Sequence, residues 1–418
     1  MRGPHTAGRR FLFVVPPLVG HINPTLGVGA ELAARGHRVA WAGSPEVVGR
    51  PAGDRTVIFR CAVPPLGEGD LSAVRPADAR GPGALKFLWE RFLVPLAEAM
   101  APGVRAAIQE FRPDVVVADQ QAVAGGLVAE RLGVPWATSA TTSAEFTGAL
   151  DGMPRVGAWL EGLMAGVRTR IGDPAGTADP RFSPHLVLAF TTEELAGRPV
   201  RAAERIRFVG PSIAVSARPA APGFPWHWLD PARPAVLVTL GTVNADAGAR
   251  FLAVCREAAR ARADRLQTVL VDPAGALATE SGAARDDGVL VVRGVPQLPL
   301  LARVAAVVCH AGHNTVCEAL WHGVPLVVAP IRDDQPVVAG QVVAAGAGVR
   351  VRFGRVTAAG LGEAIDAVLY EPGHRAAAER VSASFRAAGG AAAAADHLER
   401  LAARATTRPP SQPSLEER

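Results

Sequence analysis

Residues 295–335 constrain the fold more than any other part of this chain, because they spell out one complete strand–helix–strand unit. Their sequence is VPQLPLLARVAAVVCHAGHNTVCEALWHGVPLVVAPIRDDQ. The pattern predicts a strand at 305–309, a loop at 310–313, a helix at about 314–322 and a second strand at 324–330. Gly323 stands where a helix C-cap glycine belongs, and Pro325 follows it as a stop signal.

The predicted loop and the start of the predicted helix together form a candidate anion-binding site. A helix that opens just beyond a buried strand directs its free backbone N–H groups, and the positive end of its dipole, into the crevice at the strand ends. An anion bound there would meet His310, Gly312, Asn314 and Thr315 together. We therefore predict that this place holds a diphosphate.

Strands and helices alternate in both halves of the chain, which predicts an α/β fold of two doubly wound domains facing each other across a cleft. A length of 418 residues with 49% hydrophobic residues is enough for two or three domain cores. The predicted units are residues 1–212, an interdomain linker at 213–232, residues 233–390, a final helix at 391–405 and a disordered tail at 406–418. Neither half contains G-x-G-x-x-G, which disfavours a dinucleotide enzyme.

Composition disfavours several other classes of protein. The formal charge of +5 comes from scattered arginines, whereas a nucleic-acid surface needs a basic stripe with aromatic residues. Lys86 is the only lysine, which argues against P-loop phosphate binding and Schiff-base chemistry. The cysteines are predicted to be buried free thiols in a reducing compartment: Cys61, Cys255, Cys309 and Cys317. No signal peptide or spanning segment is evident, so we expect a soluble, cytoplasmic protein.

The first half places two titratable residues at predicted strand ends. Residues 11–16 are predicted to form a buried strand, and a short loop leads to Asn23 as N-cap and Pro24 as the first residue of a helix. His21 then lies at the carboxyl end of the first strand, where open α/β sheets bind ligands. Asp119 ends another predicted buried strand.

Three motifs follow one another in the second half: V-P-Q at 295–297, H-x-G-x-N-T-x-x-E at 310–318 and P-x-x-x-D-Q at 330–335. Together they resemble the donor-binding signature of nucleotide-sugar-dependent glycosyltransferases with the GT-B fold, the family 1 type that decorates natural products in plants and bacteria. The resemblance covers nearly the whole chain, because G-H-x-x-P at 20–24 matches as well. One position departs: Gly294 stands where the family often has a tryptophan that stacks on the base.

The resemblance implies a metal-independent, inverting transfer from a UDP- or dTDP-sugar, which is a co-substrate, with no cofactor. His21 would be the general base for an acceptor hydroxyl, and Asp119 its partner. The first domain would bind the acceptor, the second the nucleotide sugar, and the final helix would cross back to the first domain. The residues implied for donor binding are Gly241, Thr242, Val295, Gln297, His310, Gly312, Asn314, Thr315, Glu318, Asp334 and Gln335. Those expected to line the acceptor pocket are Phe87, Phe146, Met153 and Trp159.

Several of these residues also have purely structural interpretations. Asp119 could cap the helix that follows it. Thr315 and Glu318 have the spacing of a capping box, whereas the family assigns Glu318 to the ribose hydroxyls. Asp334 and Gln335 would contact sugar hydroxyls or else form a turn. A zinc cluster would use Cys309, His310 and His313, but it lacks a convincing fourth ligand.

Two other functions remain compatible with the sequence. One is a GT-B nucleotide-sugar epimerase, which needs no acceptor pocket, so the apolar residues after 141 argue mildly against it. The other is a non-catalytic GT-B protein that partners another enzyme. Whichever function applies, the chain could also form a homodimer. The expected partners are a nucleotide sugar and a hydrophobic acceptor such as a polyketide, macrolide or phenol, with no nucleic acid and no membrane span.

Overall fold

The computed structural model describes residues 8–52, 56–64, 81–213, 223–241, 248–277, 285–286 and 288–406. The first half contains β1 (Arg10–Val14), α1 (Val19–Ala34), β2 (Arg38–Gly43), α2 (Pro45–Ala52), β3 (Ile58–Arg60), α3 (Gly81–Phe87), a π-helical turn (Leu88–Leu93), α4 (Val94–Phe111), β4 (Val115–Asp119), α5 (Ala124–Arg131), β5 (Trp136–Ala140), α6 (Pro154–Ile171), β6 (Val187–Ala189), α7 (Glu193–Ala196) and β7 (Ile206–Phe208).

The second half begins with a 3₁₀ turn (Trp226–Trp228). It continues with β8 (Ala235–Thr239), α8 (Ala249–Arg260), β9 (Gln267–Val271), β10 (Arg285–Asp286), β11 (Val289–Val292), α9 (Gln297–Leu301), β12 (Ala306–Cys309), α10 (His313–Trp321), β13 (Leu326–Val328), α11 (Gln335–Ala344), β14 (Gly348–Arg350), α12 (Ala358–Tyr370), α13 (Pro372–Ala387) and α14 (Gly390–Thr406).

Each half builds one sheet from the strands that the structure describes. The first has the order β3-β2-β1-β4-β5-β6-β7 and the second β10-β11-β9-β8-β12-β13-β14. All neighbouring strands pair in parallel, except that β10 and β11 are antiparallel. In each sheet the direction of winding reverses next to its first strand, between β1 and β4 and between β8 and β12. Ligands of open parallel sheets bind outside the carboxyl ends of strands at such reversals.

Burial explains why these segments form strands. β4, β5, β8 and β9 are buried at every residue, as expected when helices cover both faces of a parallel sheet. Apolar clusters lie on the two faces of each sheet. All four cysteines are buried and free, as the sequence predicted.

The last helix, α14, returns to the first domain and packs on α1. Its apolar residues Ala394, Leu398 and Ala402 lie in one cluster with Phe11. Outside that cluster, Arg35 donates a hydrogen bond of 3.0 Å to Glu399. Because α14 belongs by sequence to the second half, it ties the two domains together. The predicted linker and tail lie partly or wholly in 214–222 and 407–418, outside the described residues.

Helix α1 differs from the prediction, because it begins at Val19 rather than after Asn23. Leu18 is extended and precedes the helix, and the N–H of Ile22 already donates to the carbonyl of Leu18 at 3.2 Å. Pro24 therefore lies inside the helix instead of opening it. As a result, His21 belongs to the first turn of α1 and is held by helical backbone.

Candidate active site

A cavity of about 1040 Å³ lies between the two domains, where the carboxyl ends of β1, β5, β8 and β12 open. The predicted residues that line it are His21, Gly241, Val295, Gln297, His310, Gly312, Asn314, Thr315, Glu318, Asp334, Gln335 and Met153. Asp119 is buried behind His21. Thr242, predicted with this group, lies outside the described residues.

His21, Asp119 and Thr141 form a hydrogen-bonded triangle on the first domain. His21 Nδ1 lies 3.0 Å from Asp119 Oδ1 and 2.7 Å from Thr141 Oγ1. The Thr141 hydroxyl donates to Asp119 Oδ2 at 2.8 Å, so its lone pair is left to accept from Nδ1–H of His21. This arrangement fixes the proton of a neutral His21 on Nδ1. Nε2, which has no hydrogen-bond partner in the described part of the chain, keeps its lone pair.

The surroundings of His21 also stabilise its charged form. Burial alone would lower the pKa of His21, but the charge of Asp119 and the hydrogen bond to it outweigh burial, so the pKa lies above the ordinary 6.5. The Asp119 side chain has no exposed surface and that of His21 has 17%. The imidazole can therefore take up a proton that it removes from a ligand.

Asp119 does not cap the following helix, because the N-cap of α5 is Val123 and no side chain caps it. Its Oδ1 atom accepts the backbone N–H of Gln121 at 2.8 Å, which shapes the turn after β4. The same oxygen contacts His21. The capping interpretation is therefore wrong, and the carboxylate instead holds the turn and His21 together, for which it has enough lone pairs.

The amino end of α10 faces the cavity without a side-chain cap. Gly312 is the N-cap residue, and no side chain caps the helix. Thr315 lies inside the helix, so the capping-box interpretation of Thr315 and Glu318 is wrong. Glu318 accepts a 2.6 Å hydrogen bond from Gln297 Nε2 of α9 instead. Because the first N–H groups of a helix have no partner within it, this end can bind an anion.

The imidazole ring of His310 packs closely against the backbone of two glycines, Gly312 and Gly241. A Cβ atom added to Gly312 would lie 2.3 Å from His310 Nε2, and one added to Gly241 would lie 2.8 Å from Cε1. Burial lowers the pKa of His310 to about 4, so the ring is neutral at pH 7 and can offer a ligand an N–H group but no charge. Burial lowers the pKa of His313 to about 4 in the same way.

Asp334 reaches across the cleft. Its Oδ2 atom accepts a 2.6 Å hydrogen bond from Thr142 Oγ1 on the first domain, and burial raises its pKa. Its side chain does not cap α11. Gln335 Oε1 accepts the backbone N–H groups of Ile331 and Arg332 at 2.9 and 3.1 Å, which leaves its Nε2 group for a ligand. The turn interpretation therefore suits Gln335, whereas Asp334 faces the other domain.

The apolar wall of the first domain differs from the one expected. Of the four predicted acceptor residues, Met153 lines the cavity. Phe146 is completely buried in a cluster with Phe208, and Trp159 donates its indole N–H to Glu90 at 3.0 Å. Phe87 packs against the core instead. The cavity wall is formed by Leu85, Leu88, Trp89, Leu150, Val156 and Leu160. Within the helices, helical phase decides which side chains point inward, whereas Phe146 lies in a turn; the sequence region alone gave neither.

The described ranges contain neither a metal-ligand cluster nor a membrane-spanning helix. No group of three or more His, Cys, Asp or Glu side chains there could hold a metal ion. No helix there is both long and apolar enough to span a bilayer. The zinc cluster considered for Cys309, His310 and His313 therefore finds no support.

Two Rossmann-like domains with a cleft at both winding reversals define the GT-B class of glycosyltransferases. The family model described as "UDP-glucoronosyl and UDP-glucosyl transferase" matches residues 199–386. The chain is 30% identical to 4'-demethylrebeccamycin synthase of Lentzea aerocolonigenes, over 94% of this chain and 100% of that protein. It is 31% identical to demethyllactenocin mycarosyltransferase of Streptomyces fradiae, over 93% of this chain and 86% of that protein. The chain belongs to this family and is a nucleotide-sugar glycosyltransferase of the family 1 type.

Solved structures agree with this assignment. A structure described as the glycotransferase of kitacinnamycin has a TM-score of 0.76 and 26% sequence identity, and the match covers 94% of this chain and 99% of that one. The GT-B fold expected from the sequence is confirmed.

Proposed function

We propose that the chain is an inverting glycosyltransferase that moves a sugar from a UDP- or dTDP-sugar to a hydroxyl of a hydrophobic natural product. In this proposal residues 1–212 bind the acceptor and residues 233–390 the donor. The observation that carries the proposal is the lone pair of His21 Nε2, which is open to the cavity that the start of α10 also borders.

The transfer is a single displacement. His21 Nε2 removes the proton of the acceptor hydroxyl as its oxygen attacks the anomeric carbon, and the bond from that carbon to the diphosphate breaks on the opposite side. The proton stays on His21, whose charged form Asp119 stabilises. An α-linked donor then gives a β-glycoside and a free nucleoside diphosphate.

The growing charge on the diphosphate would be met by the second domain. The N–H groups at the start of α10, the side chain of Asn314 and the dipole of the helix would receive it, and neutral His310 would add an N–H donor. In this proposal these groups stabilise the negative charge of the leaving diphosphate, which a metal ion does in other glycosyltransferases. Glu318, oriented by Gln297, would bind the ribose, and Asp334 would bind the sugar.

The relatives support the acceptor class. Proteins similar to this chain include demethyllactenocin mycarosyltransferase, elloramycin glycosyltransferase of Streptomyces olivaceus and zeaxanthin glucosyltransferase of Pantoea ananas. All three names refer to natural products. The apolar wall of Leu88, Trp89 and Leu160 fits a hydrophobic member of that class.

Thermal-shift measurements with UDP, dTDP and GDP test the donor site. We expect one of the first two to raise the melting temperature most, and no shift with any of them would contradict the donor assignment. His21→Ala should keep that shift but lose at least 100-fold in transfer rate, since a general base contributes about 10²–10⁴-fold. Turnover at the parent rate would exclude His21 as the base. Conversion of donor alone to an epimer would favour the epimerase.

A further inference from the structure

Glu145 is a largely buried carboxylate in the acceptor half of the cavity, and the proposed transfer does not use it. It lies on the segment after β5, close in sequence to Thr141, and it lines the cavity. Its side chain is only 12% exposed. A carboxylate in such a place is costly unless a positive charge or hydrogen-bond donors offset its loss of water.

The cation beside Glu145 is already engaged by another carboxylate. Arg181 Nη1 lies 3.5 Å from Glu145 Oε2, at the edge of hydrogen-bond distance. The Nε and Nη2 atoms of the same guanidinium bind Asp179 at 3.0 and 2.7 Å in a two-pronged contact. The guanidinium of Arg181 therefore pairs with two carboxylates, and its contacts with Asp179 are shorter and more numerous than its contact with Glu145. In agreement, burial raises the pKa of Glu145 to about 7 despite the charge of Arg181.

Apart from Arg181 and His21, the charged groups in this half of the cavity do not offset the charge of Glu145. Arg201 lines the same cavity, but it is 3.6 Å from the carboxylate of Asp151. Glu161 also lines the cavity and adds negative charge. Glu145 and His21 are close enough to influence each other's pKa, so the carboxylate lies near the proposed base. The acceptor half thus combines an apolar wall with an excess of negative charge.

We propose that Glu145 determines acceptor specificity by pairing with a protonated amine of the acceptor, which places this enzyme's substrates among hydrophobic amino alcohols. The inference rests on the proposed function, because it assigns the acceptor to this half of the cavity. An ammonium group would donate to Glu145 and supply the positive charge that Arg181 shares with Asp179. A neutral acceptor of the same shape would leave the carboxylate without that partner.

A matched pair of probes tests the pairing directly. 4-Phenylbenzylamine and 4-phenylbenzyl alcohol differ only in the amine or hydroxyl group, and isothermal titration calorimetry at pH 7.5 gives their dissociation constants. We expect the parent enzyme to bind the amine about tenfold more tightly than the alcohol, because hydrogen bonds to charged groups are the stronger ones. In Glu145→Gln, which keeps the shape and loses the charge, the two constants should agree within about twofold.

The control is Glu204→Gln, which makes the same change of net charge at an exposed residue away from the cavity. It should keep the preference for the amine. Nucleotide binding and the melting temperature of both variants show whether they are folded. The proposal is overturned if the parent enzyme shows no preference, or if Glu145→Gln keeps it. Since the readout needs no turnover, an amine preference in a protein that transfers no sugar would refute the proposed function alone.

Discussion

The side-chain amide of Asn314 donates a 2.6 Å hydrogen bond to the carbonyl oxygen of Gly20, across the cleft between the two domains. In a regular helix that carbonyl would accept the N–H of residue 24, but residue 24 is a proline and has none. The proline thus leaves an acceptor in the first turn of α1, beside His21. Through it, the start of α10 is fixed relative to the proposed base.

Pro24→Ala should weaken this contact. The new N–H group can bind the Gly20 carbonyl within α1 and compete with Asn314. We expect the melting temperature to stay the same or rise, since alanine suits a helix interior far better than proline. The value of kcat/KM should fall about fivefold, as for the loss of one hydrogen bond of about 1 kcal/mol. Pro372→Ala, at the exposed start of α13, is the matched control and should change neither quantity appreciably. Unchanged kinetics in Pro24→Ala would show that the contact has no part in the transfer.

Thr141→Val tests the third corner of the triangle with His21 and Asp119. Valine has the same shape but cannot bridge His21 Nδ1 and Asp119 Oδ2, which the hydroxyl now contacts at 2.7 and 2.8 Å. We expect kcat to fall about 10-fold with little change in the KM for the donor, since one or two hydrogen bonds are lost. Thr141→Ser, which restores the hydroxyl, should recover most of the rate. Equal losses in both variants would point to packing instead.

The pH dependence of transfer should report the His21–Asp119 pair. His21 must be neutral to act as a base, and its pKa lies above 6.5, so kcat/KM should rise with pH to a midpoint above 6.5. Asp119→Asn removes the charge that raises this pKa and leaves burial, which lowers it. The midpoint should then move to lower pH while the plateau falls by about 100-fold or more. A midpoint that does not move would mean that another group is titrating.

The fold and the donor half of the site were open to sequence analysis because both rest on local patterns. Continuous apolar runs mark buried parallel strands, and the spacing from His310 to Glu318 is fixed by one loop and one helix. Of the hydrogen-bonded triangle, the sequence predicted His21 and Asp119 but not Thr141. Thr141 joins His21 and Asp119 because β5 pairs with β4, and strand order is a property of the whole sheet.

Residues whose role depends on helical phase, on the path of a turn or on distant charges were not predictable. Phe146 and Trp159 are as apolar as Leu160, yet only Leu160 lines the cavity. The start of α1 was misplaced because Pro24 usually opens a helix, and the contact that compensates for it comes from Asn314 in the other domain. Glu145 gave no local signal, since its surroundings depend on Arg181 and Asp179.

Gly312→Ala tests the close packing of the His310 ring against Gly312. The backbone at Gly312 has a φ of −63°, which alanine accepts, so the effect is purely steric. The new methyl group would lie 2.3 Å from His310 Nε2 and must displace the ring. We expect the dissociation constant for UDP or dTDP to rise about tenfold and stability to fall by about 1–3 kcal/mol, as for overpacked cores. Calorimetric titration and thermal unfolding measure the two effects.

Gly340→Ala is the matched control for that substitution. Gly340 lies within α11 of the same domain, and a Cβ atom there meets nothing within 4 Å. Alanine should stabilise the helix by about 0.5–1 kcal/mol and leave nucleotide affinity unchanged. If Gly312→Ala bound the nucleotide as well as Gly340→Ala does, His310 would have no role in the donor site.

The stability of the protein should depend on pH through Glu145. Burial raises its folded-state pKa from 4.5 to about 7, so folding favours the protonated carboxyl. The stabilisation is complete below pH 4.5, the unfolded value, and is lost as the pH rises through 7. Glutamine resembles the protonated form at every pH. The free energy of unfolding of Glu145→Gln minus that of the parent should therefore increase by about 1–3 kcal/mol when the pH is raised from 5.5 to 8. This range follows from about 1.4 kcal/mol per unit of pKa shift. Urea unfolding at the two pH values measures this difference, with Glu204→Gln as the control that should show none. Parallel pH dependence in all three proteins would mean that Glu145 ionises as it does in water, and its weak, shared ion pair with Arg181 would then be no guide to the acceptor.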